Sequence, residues 1–234
     1  KVSGADVSQV YEIPTNPATT ISTTYEQINS MTVTPGAGDY LIWFSGSIVN
    51  TVKPSVQHVS LFVNGSQLAH TEREVDQEES LTTTYFPVAT HARKVSVLDG
   101  EAIAVYWKVD TGTATMKART LTVYKINAAN GSEASATLDD TTTSASYPPV
   151  DSMSITPGAG NYHVWFSASL VDPQATDTIN VSLFVGGTQV LHTEREIWVE
   201  GSLDNPHQTF PVALHAYVEG LGASDAIDVR WKRT

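Results

Sequence analysis

The chain has 234 residues, 41% hydrophobic and 16% charged, which is the balance of a globular protein and not of a disordered one. Its 25 acidic side chains against 13 basic ones leave a formal charge of −12, without the basic footprint that nucleic acid or an acidic membrane surface attracts. There is no cysteine, which excludes disulfides and thiolate metal sites, and no apolar run reaches the ~18 residues of a membrane span.

Residues 1–20 read as lacking an apolar leader, and the first residue is Lys; the chain is therefore expected to be processed or cut from something longer. The first conspicuous motif is TPGAGDYLIWFSGS, Thr34–Ser47. A phosphate-binding loop would need Lys and Ser/Thr after its last Gly and a helix behind it. Here Asp39-Tyr40 and a strand pattern follow Gly38, so the loop is read as a tight turn launching a core strand. In that strand Tyr40, Ile42, Phe44 and Ile48 alternate onto one face, and Leu41 and Trp43 onto the other. Next comes HVSLFVNGSQL, where Asn64-Gly65 after a Val/Leu/Phe run predicts a hairpin. In EAIAVYWKV, Ile103, Val105, Trp107 and Val109 share a face that suits a core, and TLTVYKI at Thr120–Ile126 is a further strand.

The whole pattern then recurs. Met31 matches Met153, Tyr40 matches Tyr162, VSLFV at Val59 returns at Val181 and HTERE at His70 returns at His192, all at an offset of 122. About half of the positions between Met31 and Leu81 are identical in the second copy. From Phe86, which matches Phe210, the offset is 124, so two residues are inserted between the Leu81 and Phe86 equivalents. A period of this length is that of a whole domain. We expect an all-β chain of two tandem antiparallel jelly-roll β-sandwiches related by duplication: domain 1 at residues 1–126, a linker at 127–135, and domain 2 at 136–234.

The order GDYLIWFS, VSLFVNG, VLDGEAIAV and TLTVYKI resembles the complement-head and tumour-necrosis-factor jelly-roll superfamily, in which a Gly-x-Tyr strand, an Asn-Gly hairpin and a Gly-Asp/Glu turn recur in this order. The resemblance spans Tyr25–Ile126 and resumes at Tyr147. It implies a ten-strand sandwich that assembles as a homotrimer through one sheet face; in bacteriophages similar modules are head decorations and fibre parts. Domain 2 ends at Thr234 without a counterpart of LTVYKI, so either the native chain is expected to continue or a neighbour to donate that strand.

The most conspicuous polar motif is HTERE. Read as a strand, it places His70, Glu72 and Glu74 on one face, and His192, Glu194 and Glu196 likewise in the second copy. A salt-bridged exposed strand is the plainer reading. A His with two carboxylates is also a candidate divalent-metal set, and Arg73 or Arg195 could pair across a subunit interface. Trp43, Trp165 and Trp198 complete the candidate interface residues. Hydrolase signatures are absent, and no catalytic residue and no cofactor is nominated. The expected function is a non-enzymatic virion structural protein, a capsid decoration, spike or fibre subunit, whose partners are its own copies and a capsid or other virion protein. The alternative is an extracellular adhesive or carbohydrate-binding module of a bacterial surface, with a glycan partner. Neither nucleic acid nor membrane is expected as a partner.

Overall fold

A computed structural model describes residues 7–13, 15–52, 54–77, 85–127, 131–172, 177–199 and 208–234. The inserted pair near Leu81 and part of the linker, residues 128–130, lie outside them. The described regular structure is antiparallel β with two short 3₁₀ turns, and the chain divides into two compact units, one containing all of the first ten strands and one containing most of the last seven.

The strands of unit 1 are β1 (Val7–Glu12), β2 (Ala18–Thr20), β3 (Glu26–Val33), β4 (Gly38–Asn50), β5 (Ser55–Val63), β6 (Ser66–Gln67), β7 (Arg73–Gln77), β8 (Phe86–Val97), β9 (Ile103–Val109) and β10 (Ala114–Ile126). One sheet has the order β1-β10-β4-β8 with β2 also on β10; the other has the order β3-β9-β5-β6 with β7 also on β5. With the short β2 and β6 set aside, eight strands remain. The first, eighth, third and sixth share one sheet, and the second, seventh, fourth and fifth share the other. That is the order of a jelly roll.

Alternation builds the core between these sheets. Tyr40, Ile42, Phe44 and Ile48 of β4 are buried, as are Ile103, Val105, Trp107 and Val109 of β9, while Leu41 and Trp43 lie half-buried on the other face of β4. The predicted hairpin is present: Asn64 and Gly65 both adopt positive φ, 49° and 75°, as a type I′ turn requires. The Pro35–Gly38 turn is held by its own strand, since the Tyr40 hydroxyl lies 3.1 Å from both Pro35 O and Gly36 O, and Lys125 Nζ donates to Ala37 O at 2.9 Å. Three successive carbonyls of the loop are thus tied to side chains of the β4-β10 pair, and a strand, not a helix, follows Gly38, as a structural turn demands.

Unit 2 comprises β11 (Pro149–Ile155), β12 (Gly160–Asp172), β13 (Asp177–Val185), β14 (Thr188–Gln189), β15 (Arg195–Val199), β16 (Gln208–Leu221) and β17 (Ile227–Arg233). One sheet has the order β11-β17-β13-β14 with β15 on β13, matching β3-β9-β5-β6 and β7 of unit 1, and β12 pairs β16 in a second sheet. Among the described residues no strand lies on the β12 edge that, in unit 1, β10 occupies on β4.

Candidate functional site

The period of two on β5 sends Val59 and Leu61 into the core and His58, Ser60 and Phe62 to the opposite face. Register then assembles that face. His58 lies opposite Glu74 of β7 on one side and Lys108 of β9 on the other, and Ser60 lies opposite Tyr106. Between β6 and β7 the chain bends through the 3₁₀ turn Ala69–Thr71. Buried Thr71 fixes the bend: its hydroxyl accepts from Leu61 N at 2.9 Å and donates to Leu68 O at 2.7 Å. The bend carries Glu72 over the sheet to His58.

The result is a histidine ringed by carboxylates. His58 Nδ1 is 3.0 Å from Glu72 Oε1 and 3.4 Å from Glu74 Oε1, and Nε2 is 3.2 Å from Asp110 Oδ1. The second oxygen of Glu72 accepts from Gln67 Nε2 at 2.8 Å. Burial disfavours the imidazolium, but hydrogen bonds to Glu72 and Glu74 outweigh it and raise the His58 pKa to about 9. The hydrogen bond from His58 holds Glu72 at about 2 against its own burial. Burial, and after it the charge of Glu72, pushes the Tyr25 phenol far above its ordinary value. Beside this polar cluster lies an aromatic one: Phe62 stacks on Tyr106 at 4.1 Å between centroids and meets Tyr25 at 5.3 Å, and Lys108 Nζ sits 5.1 Å from the Tyr25 ring.

Unit 2 repeats the frame with three exchanges, one of them Thr234 in the place of Asp110. Gln189 Nε2 donates to Glu194 Oε2 at 2.7 Å, Thr193 Oγ1 accepts from Leu183 N at 2.9 Å, Tyr147 meets Phe184 at 5.3 Å, and Lys232 Nζ lies 4.9 Å from the Tyr147 ring. Asn180 stands where unit 1 has His58, its amide donating toward Glu194 and Glu196 at 3.3 and 3.5 Å. Arg230, over the Phe184 ring at 4.6 Å, replaces Tyr106. Burial, and after it a hydrogen bond to Glu194, lifts the Tyr147 phenol to about 12.

These positions revise the reading of HTERE. The motif is not one strand: His70 and His192 sit on 3₁₀ turns, and only from Arg73 and Arg195 onward is the chain extended. Glu72 and Glu74 do come together, but with His58, while His192 is exposed. Arg73 is buried and its Nη1 donates to His70 O and Glu72 O, at 3.0 and 2.6 Å; Arg195, half-buried, donates to His192 O and Glu194 O. Trp43 lies opposite His91 on the outer face of the β1-β10-β4-β8 sheet. Trp165 is exposed and stacks with His163 at 5.7 Å, and His163 meets Tyr217 at 4.9 Å. The backbone of Trp198 pairs with Thr178, and its side chain lies outside the described residues. Sequence reading missed His58, Tyr25, Gln67 and Asp110. A signal was present for the first three, because His58 falls out of phase with Val59 and Leu61, and Tyr25 and Gln67 recur as Tyr147 and Gln189.

No protein-family model and no curated protein matches the chain. Among solved structures it is similar to dimeric latent PorU from Porphyromonas gingivalis, with 10% identity over 96% of this chain and 20% of that one, at a TM-score of 0.33. The chain thus spans about a fifth of PorU. It is also similar to the CBM22-1–CBM22-2 tandem domain of Paenibacillus barcinonensis Xyn10C, with 11% identity over 99% of this chain and 86% of that one, at 0.28. PNGF-II is similar with 8% identity over 100% and 58%, at 0.31. Likenesses at this level assign no function; the antiparallel β-sandwich character rests on the strand pairing itself.

Proposed function

We propose that the chain is a non-enzymatic structural subunit of a virion, a capsid decoration, spike or fibre component, that works by assembling with copies of itself into a trimer. One observation supports the self-assembly part of this reading. Three successive rungs cross the outer face of the four-stranded sheet: Val7-Tyr124-Leu41-Arg93, Gln9-Thr122-Trp43-His91 and Tyr11-Thr120-Ser45-Ala89. None of these positions is a carboxylate in a chain with 25 acidic residues, and Val7 and Tyr11 at its margin are exposed. Three adjoining rungs that carry Trp and Tyr and no carboxylate have the composition of an interface core. The strand order also agrees with the resemblance drawn from the sequence, whose members assemble through one sheet face. Trp43→Asp, which sets a charge in the middle rung, is expected to reduce the assembly to single chains without loss of the β-sheet circular dichroism. Co-sedimentation with capsids at a fixed ratio tests the virion role, and failure to co-sediment overturns it.

A second reading, an extracellular glycan-binding module, is favoured by a separate feature. His163, Trp165 and Tyr217 form a strip of rings in unit 2, with Trp165 37% and Tyr217 52% exposed, a platform on which a sugar ring can stack. A glycan array distinguishes the readings: a ligand held by the wild type and lost in Trp165→Ala supports the module, and an empty array removes it.

A further inference from the structure

We propose that His58 Nδ1, Glu72 Oε1 and Glu74 Oε1 form a binding site in unit 1 for a divalent transition-metal ion, zinc being the best-matched. This goes beyond the assembly reading and does not depend on it.

Three observations carry the site. The first is spacing. The three donor atoms lie within 4.8 Å of one another, with Nδ1 at 3.0 and 3.4 Å from the two oxygens. An ion about 2.0–2.2 Å from each N and O donor separates them by about 3.0 Å at right angles and about 3.4 Å at the tetrahedral angle. Nδ1 already stands at coordination separations from both carboxylate oxygens, while the two oxygens are within 4.8 Å of each other and close on the ion by side-chain rotation. The second is orientation from behind. Asp110 Oδ1, 3.2 Å from Nε2, accepts that ring proton and leaves Nδ1 turned to the two glutamates; Gln67 binds the far oxygen of Glu72 and leaves Oε1 turned to His58. A carboxylate behind a histidine ligand fixes its tautomer and raises its basicity. The third is charge. Three carboxylates, those of Glu72, Glu74 and Asp110, face the largely buried imidazole, with Lys108 as the neighbouring cation, and a divalent ion at Nδ1 brings this set to neutrality where a single proton leaves it negative. One imidazole nitrogen with two carboxylate oxygens is a donor set for zinc rather than for magnesium or calcium, which take oxygen.

The second copy provides an internal control. It keeps Gln189, Glu194 and Glu196 but has Asn180 in place of His58 and Thr234 in place of Asp110, and an amide supplies no nitrogen lone pair to a metal. One site per chain is therefore expected, in unit 1.

The test is calorimetric titration of the chelator-stripped full chain with zinc chloride. The expected result is one ion per chain, with affinity falling at least about tenfold in His58→Asn and unchanged in His70→Asn. No heat of binding, equal affinity in His58→Asn, or loss of binding in His70→Asn overturns the proposal. If His58→Asn does not fold, anomalous diffraction from wild-type crystals grown with zinc decides: a peak bonded to His58 Nδ1 supports the site, and its absence there overturns it.

Discussion

At the scale of single residues, the carboxylates around His58 give the metal-free protein a definite pH profile. Glu72 has a folded pKa of about 2 against an ordinary 4.5. Its contribution to stability is therefore complete above pH 4.5 and is lost as the pH falls toward 2. His58 has a folded value of about 9 against 6.5, so its contribution is complete below pH 6.5 and is lost as the pH rises through 9. Unit 1 is thus expected to be most stable between pH 4.5 and 6.5 and to weaken on both sides. Asn180 does not titrate, so His58→Asn, which copies it, should flatten the alkaline arm. Thermal melts of chelated wild type and variant from acid to alkaline pH check this; parallel curves between neutral pH and 9 would contradict it. The cluster was only half legible in the sequence. HTERE announces two of its carboxylates, but His58 lies 14 residues before Glu72 and meets it through pairing of β5 with β7 and the bend at Thr71. Local periodicity carries no record of that long-range register.

At the scale of elements, β4 and β9 show what alternation does reveal. A strand with one face in the core reads as apolar every second residue, and Tyr40, Ile42, Phe44, Val105 and Trp107 are buried as that phase requires. The bulge in β10 is what it conceals. Pairing with β4 shifts between Met116 and Arg119, at the level of Gly46. A Cβ on Gly46 would come to 3.0 Å from Met116 Sδ and 3.3 Å from Phe44 Cζ, so a larger residue there fits only if those side chains give by a few tenths of an ångström. Arg119, 3% exposed, closes the bulge from its own strand: Nη1 lies 3.1–3.2 Å from the carbonyls of Asn16, Met116 and Lys117. Arg119→Ala leaves those carbonyls without their charged donor and is expected to destabilise unit 1 by about 2–3 kcal/mol in urea unfolding. A loss under about 0.5 kcal/mol, the range of an ordinary surface change, would contradict that account.

At the scale of the molecule, the charge is distributed unequally. Residues 1–126 hold 9 basic and 12 acidic side chains, and residues 127–234 hold 4 and 13. The excess of acid in the second part favours solvent over self-contact there, whereas the three central rungs of the β1-β10-β4-β8 face carry no acid to repel a second copy. That contrast is the physical basis for assigning self-assembly to unit 1. The most direct measurement is the mass of the purified chain by light scattering across a dilution series. Assembly through the β1-β10-β4-β8 face predicts a species near three times 25.2 kDa that persists on dilution and collapses to single chains in Trp43→Asp. A mass of 25.2 kDa at every concentration, or a trimer indifferent to Trp43→Asp, would contradict it.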